Sequence, residues 1–372
     1  MLPRRLGAYS PNWLDQLTTG GEIVWIGAGP TGRTGRVALY FREDVRLAGP
    51  PPSNAKLDRP EGELHEKIRE LLGERPAFWL DIAALIADAE QEELHSALWD
   101  LAWAGEVTND AFSPLRAPRL KATVRSDSRR ARRFSSRRAS ASQAVQGRWS
   151  LVSELLKGAP AAGPRMRAQA ELMLERYGIV TRETVLAEGV PGGFSTLYGE
   201  LSNLEILGTA RRGYFVEGLG GAQFALAGAV ERLRSLPREE NVFTVLAATD
   251  PAQPYGSQLS WPRPPAREGE ENENGRGGRR PSRVAGAYVL MRDGDPVIYV
   301  ERGGKGMLRL CRFDDDELGD ALTALHQAVE DGVIPRLGVE KIDGGPVFGS
   351  GLEEALAEAG FSRQPKRMVA AG

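Results

Sequence analysis

One order of local signals occurs twice between residues 61 and 240, and that recurrence limits the fold more than any other feature. In residues 61–120, Leu64, Ile68, Leu71 and Leu72 form an apolar stripe at helical spacing, and Phe78–Ile86 predicts a short second helix. Glu90–Ala104 places Leu94, Leu98, Leu101 and Ala102 on a third helix stopped by Gly105, after which Glu106 and Val107 open a strand. In residues 149–240, Met166–Tyr177, Thr181–Glu188 and Gly193–Leu207 repeat the three helices. Thr209–Gly213 and then Tyr214, Phe215 and Val216 lead into a glycine-rich EGLGGA wing and the closing strand Gln223–Leu226. Helix, short helix, helix, strand, wing and strand is the order of a winged-helix domain.

Residues 1–46 read as the C-terminal part of a further copy. Ser10 caps a short helix with Pro11 at its first position, Trp13, Leu14 and Leu17 give it an apolar face, and Gly20 and Gly21 stop it. Glu22–Ile26 and Arg36–Phe41 are then two strands joined by a glycine-rich turn. Within that turn, Gly27-Ala28-Gly29-Pro30-Thr31-Gly32 has the glycine spacing of a dinucleotide-binding loop. That chemistry needs a helix N-terminus to receive the pyrophosphate, and the β-prone RVALYF leaves no room for one. A hairpin wing is expected instead, with Arg33 and Arg36 available to a DNA backbone.

The chain has 372 residues and a formal net charge of -2, with a composition that excludes disordered and fibrous classes. The near-zero sum hides an asymmetry. Residues 116–148 carry ten arginines and Lys121 against Asp127 alone, a local balance of +10 set against -12 elsewhere. Too poor in large apolar side chains to bury a core, 121–148 is expected to be an Arg-rich linker between domains. The pairs Arg129/Arg130, Arg132/Arg133 and Arg137/Arg138 would neutralise phosphates without reading bases; the alternative is a solvated tether attracted to acidic neighbours. Residues 262–281, mixing Pro, Gly and both charges, read as a flexible spacer. The lone Cys311 excludes a disulfide framework and a cysteine-rich zinc module. His65, His95 and His326 are too dispersed for a local ligand set, so no metal site is expected and His95 reads as a packed or surface side chain. With no run of 18 apolar residues and no secretory signal, the expectation is a cytoplasmic protein with no membrane partner.

The two third helices differ in charge. DAEQEELHSALWDLAWAG is acidic and repels phosphate, which suits a structural or protein-facing module. FSTLYGELSNLEILG is less hostile: Ser195, Thr196, Tyr198 and Asn203 would bond phosphates or base edges, and Arg211 and Arg212 would hold phosphate from the wing side. Tyr198 and Tyr214 read alternatively as partly buried packing groups. Residues 241–261 are expected to be a connecting segment, in which Asn241–Ala248 reads as a strand or buried segment and Asp250–Trp261 as an irregular loop of chemical interest. There Asp250 would orient a water, with Tyr255, Gln258 and Trp261 as a base pocket. The competing reading makes Asp250 a turn cap, with both aromatics anchoring the loop. Asp343, on a DGG turn, is a weaker candidate carboxylate. Residues 282–372 predict a β-rich α+β domain, so the expected class is α+β: tandem winged-helix domains followed by a β-rich α+β module.

Five strings carry a family resemblance: WLDQLTTGGEIVWIGAGPTGRTGRVALYFRED, ALWDLAWAGEVTNDAFSPLRAPR, ERYGIVTRETVLAEGVPGGFSTLYGEL, RRGYFVEGLGGAQFALAGAVERLR and LAATDPAQPYGSQLSWP. In this order they resemble the C-terminal extension of the large helicase-related (Lhr) family, itself related to tandem winged-helix DNA glycosylases. The resemblance implies a role in DNA repair beside an ATP-driven helicase core. No GxxxxGK[ST] string, acidic box or helicase arginine motif occurs in these residues, so ATP and Mg are expected only through a core supplied in cis or in trans. The implied partners are single-stranded or partly duplex DNA, that core, and a second copy of the chain. The family's catalytic aspartate near its C-terminus has no counterpart in GFSRQPKRMVAAG. Three functions follow: DNA-binding accessory region, uracil-type glycosylase, and oligomerisation scaffold.

Overall fold

Ser10 begins the first regular element as expected, its hydroxyl accepting from the Asn12 N–H at 3.4 Å while Pro11 occupies the first helical position. In the computed structural model, residues 8–31, 34–51, 59–116, 146–236, 240–262 and 280–370, with Leu6 and Pro265, are described. Helix α1 (Pro11–Thr19) leads into an antiparallel hairpin of β1 (Ile23–Thr31) and β2 (Thr34–Phe41), followed by the single turn α2 (Val45–Ala48).

The first complete winged helix runs α3 (Glu63–Glu74), β3 (Ala77–Phe78), α4 (Trp79–Leu85), α5 (Gln91–Trp103), β4 (Val107–Asn109) and β5 (Arg148–Leu151). Strand β5 lies between β3 and β4, with Ala77 opposite Trp149 and Thr108 opposite Ser150. The expected boundary at residue 148 falls at the start of a strand of this sheet: in sequence the Arg-rich stretch is an insertion between β4 and β5, and β5 belongs to the first copy. The reason is burial, because Trp149 is completely enclosed and stands with Trp25, Trp79 and Trp99 in one core, with Trp103 packed against it. Five of the chain's seven tryptophans thus meet there. The two ends of the insertion are joined, Ser113 Oγ donating to Gln146 Oε1 at 2.7 Å and Asn109 Nδ2 to the Gln146 carbonyl at 3.2 Å.

The second complete copy follows the short helix α6 (Val152–Leu155). It runs α7 (Ala162–Tyr177), β6 (Ile179–Val180), α8 (Arg182–Glu188), α9 (Phe194–Ile206), β7 (Ala210–Gly213) and β8 (Gln223–Leu226). Its sheet has the same arrangement, the third strand between the first two. Helix α8 is capped by Thr181, whose hydroxyl accepts from Thr184 N at 3.2 Å, and ends at Gly189 in the left-handed region at φ 73°. Met173, Leu174, Val185, Leu197, Leu201 and Phe224 fill the core.

Two compact units divide the chain, Met1–Glu231 and Arg232–Gly372. Helix α10 (Ala227–Ser235) includes the division. In the second unit β9 (Phe243–Ala247) is an edge strand, paired with β10 (Tyr288–Arg292). The strand or buried segment expected at Asn241–Ala248 thus forms an edge of this module's sheet. Strands β11 (Asp295–Val300), β12 (Gly306–Arg309), β14 (Lys341–Ile342) and β15 (Gly345–Pro346) complete a six-stranded sheet. A separate three-stranded sheet joins β13 (Leu337–Val339), β16 (Ser362–Gln364) and β17 (Arg367–Ala370). Period-two alternation sends Leu290, Ile298 and Val300 to one face, against α11 (Asp315–Glu330) and α12 (Glu353–Glu358). Val289, Met291, Tyr299 and Leu308 go to the other, where Tyr255 and Trp261 cover them.

Candidate nucleic-acid interface

Helices α5 and α9 hold the position from which a winged helix reads a groove. On α5, Leu94, His95, Ala97, Leu98, Trp99, Leu101 and Ala102 are all buried. Its own core takes one side and the β1–β2 hairpin another. A Cβ at Gly27 would fall inside the Ala102 carbonyl, and one at Gly35 inside the Trp103 ring, so only glycine permits that approach. Gly27, the first glycine of the string that mimics a nucleotide loop, thus serves a strand pressed on a helix. Exposed on α5 are Gln91, Glu92, Glu93, Ser96 and Asp100, a face that repels phosphate.

His95 belongs to that buried side. Trp99 Nε1 donates to its Nε2 at 3.2 Å, the Trp79 ring meets it edge-on at 5.1 Å, and burial pushes its pKa down to about 4. It is a neutral packed imidazole. Among the described residues no group of three His, Cys, Asp or Glu side chains is placed to hold a metal ion.

Helix α9 buries only Leu197, Leu201 and Leu204, leaving Ser195, Tyr198, Gly199 and Asn203 exposed with no acid in its first turn. The expected polar contacts are partly committed elsewhere. Ser195 Oγ donates to the Gly192 carbonyl at 2.9 Å and Thr196 Oγ1 to the Pro191 carbonyl at 3.2 Å, so a phosphate contact requires either hydroxyl to rotate. Arg212 pairs with Glu205 at 2.7 Å, donates to Tyr198 Oη at 3.0 Å and Ser202 Oγ at 3.1 Å, and lies over the Tyr198 and Phe224 rings. It ties β7 to α9, and the phosphate contact expected of it would have to compete with the Glu205 carboxylate. Arg211 is half-exposed and pairs only loosely with Glu231, at 3.7 Å. Asn203 stands open on the outer face.

Tyr198 is a partly exposed packing group, meeting Phe194 and Phe224. Tyr214 is not one, being 89% exposed at the base of the wing. Sequence reasoning also passed over Gln223, wholly buried, whose amide bonds the wing backbone at four points. The signal was available: a glutamine opening a strand immediately after a glycine-rich turn.

Arg36 is exposed on β2. Arg33 and Arg129, Arg130, Arg132, Arg133, Arg137 and Arg138 lie outside the described residues. The stretch's terminal arginines are already paired, Arg116 with Asp15 and Arg148 with Asp110, each at 2.9 Å.

In the second unit, the Asp250 carboxylate accepts from Ala252 N at 2.9 Å, a local turn cap. The Tyr255 and Trp261 rings stack on each other at 6.1 Å, and Trp261 meets Tyr299 edge-on at 5.7 Å. A flipped base would have to displace contacts that close the sheet face. Gln258 sits half-buried in the same loop. Asp343 takes both the backbone N–H and the Nε of Arg309 at 2.8 Å.

Sequence models described as large helicase-related protein, winged-helix domain, match residues 1–42 and 159–244. Over 98% of its length the chain is 39% identical to a Mycolicibacterium smegmatis protein named "Lhr helicase/probable uracil glycosylase". Over the same share it is 33% identical to an Escherichia coli protein named "Lhr helicase/uracil glycosylase". It spans about a quarter of the length of each, 25% and 24%. Over nearly its whole length the chain is therefore similar to one part of large helicase-related proteins.

Proposed function

We propose that this chain is the DNA-binding accessory region, from the C-terminal part, of an Lhr-type ATP-dependent helicase acting in DNA repair. ATP and Mg act at the helicase core, and these residues hold and orient DNA. The observation that carries the reading is the open α9 face, whose exposed Ser195, Tyr198 and Asn203 are uncharged and can approach a groove without repulsion. In sequence, residues 117–145 between β4 and β5 add eight arginines and Lys121 against Asp127. Such a stretch attracts phosphates without reading bases.

The test is binding of single-stranded and partly duplex DNA across salt. Replacing Arg129, Arg130, Arg132 and Arg133 together by Ala should flatten the dependence of log K on log salt by up to about 3 to 4, at roughly 0.7 to 0.9 for each phosphate no longer neutralised. An unchanged slope removes the Arg-rich stretch from the account. The names of both relatives favour a second reading, hydrolysis of the N-glycosidic bond of a flipped uracil with Asp250 as the water-orienting carboxylate. An abasic product from uracil-containing DNA, abolished in Asp250→Asn, would support it; no product from active protein would remove it.

A further inference from the structure

We propose that Tyr214 is a base-stacking residue that takes the face of an unpaired base in single-stranded or frayed DNA. The proposal rests on the DNA-binding reading above and names how the second complete winged helix engages the strand. Tyr214 is the first residue beyond β7, and at 89% exposure it gives up the burial that holds Tyr299 at 3%. Its ring is nevertheless carried on a fixed backbone.

On one side of it, Gly213 pairs with Gln223 in the β7–β8 ladder. On the other, the Gln223 side chain reaches across the wing: Oε1 accepts from Phe215 N and Val216 N, both at 2.8 Å, and Nε2 donates to the Val216 carbonyl at 3.0 Å and the Leu219 carbonyl at 3.1 Å. All four hydrogen-bonding positions of a buried amide are thereby used to shape one loop. Gly213 makes the fold-back feasible, since a Cβ there would lie 2.9 Å from Phe215 Cζ.

A ring held this way loses little backbone freedom when it meets a ligand, which is what makes an exposed aromatic an effective contact. The surrounding charge selects the ligand's neutral part. Glu217, three residues further along the wing, is exposed and discourages a phosphate at the wing tip, whereas the half-exposed Arg211, three residues before Tyr214 on β7, favours one toward that strand. A base with its phosphate trailing toward β7 satisfies both. Stacking of this kind tolerates any base, because every base presents a π face.

The experiment uses an oligonucleotide with a single 2-aminopurine in an unpaired stretch, titrated with the whole chain. Wild-type protein and Tyr214→Phe should quench the fluorophore, and Tyr214→Ala should lose the quench and bind about tenfold more weakly with the same salt slope. Gln223→Leu, which frees the wing, should weaken binding with Tyr214 intact and add little to Tyr214→Ala. Equal affinity and quench in Tyr214→Ala, with wild-type binding normal, would overturn the stacking role alone. Failure of the wild-type protein to bind DNA even near about 50 mM salt would overturn the reading on which it rests.

Discussion

Helices α5 and α9 are both thirteen residues long and occupy the same place in the same fold, yet seven residues of the first are buried against three of the second. The difference is made outside the helices. A hairpin from the N-terminal segment lies on α5 through Gly27 and Gly35, and nothing comparable in the described residues lies on α9. A repeated motif therefore does not repeat its role. The first copy has become a packing centre, and the second keeps an open helix and a short, braced wing.

The sharpest way to break this comparison is to remove the glycine that lets the hairpin approach. Gly27→Val puts side-chain atoms into the Ala102 carbonyl and should cost about 3 kcal/mol or more, read as a lowered urea midpoint. A protein of unchanged stability would mean that the hairpin does not close α5.

A second effect of similar size follows from His95. In the unfolded chain its imidazole protonates near pH 6.5, whereas burial holds the folded group neutral down to about 4. The unfolded state binds the extra proton in that window, so stability is full above about pH 6.5 and falls by about 3 kcal/mol as pH drops toward 4. Stability against pH should therefore steepen in this window and flatten in His95→Gln; no flattening would reassign the acid sensitivity to other groups. The α9 copy, with no buried histidine, should contribute no such step.

The smallest effect sharpens the contrast from the open side. Gly199 lies in α9 with nothing within 4 Å of where a Cβ would stand, so Gly199→Ala should raise stability by roughly 0.5–1 kcal/mol through helix propensity alone. A loss would show that α9 is covered after all.

Much of this was legible in the sequence, for reasons that differ by element. The apolar spacing along 91–103 and 194–206 set both helices to within a residue or two, because helical periodicity is local. Strand β5 was not legible: Trp149 pairs with Ala77 and Asn109 across the Arg-rich insertion, and no local pattern reports a partner so far away. The β-prone run Asn241–Ala248 was legible as a strand or buried segment, but its partner, Tyr288–Arg292 beyond the spacer, was not. In the candidate site, chemistry was easier to read than commitment. Arg212 has the right charge, but its ion pair with Glu205 and its place over two rings exist only in three dimensions. Tyr214 was undervalued because an aromatic beside a strand usually packs inward, and Gln223 is what holds the wing on which it stands.

The most direct test is hydrogen exchange of the whole chain with and without single-stranded DNA. Slowed exchange in residues 194–223, with residues 91–103 unchanged, is the predicted result. Protection appearing in 91–103, or none in 194–223, would contradict the assignment of α9 and its wing as the face that meets DNA.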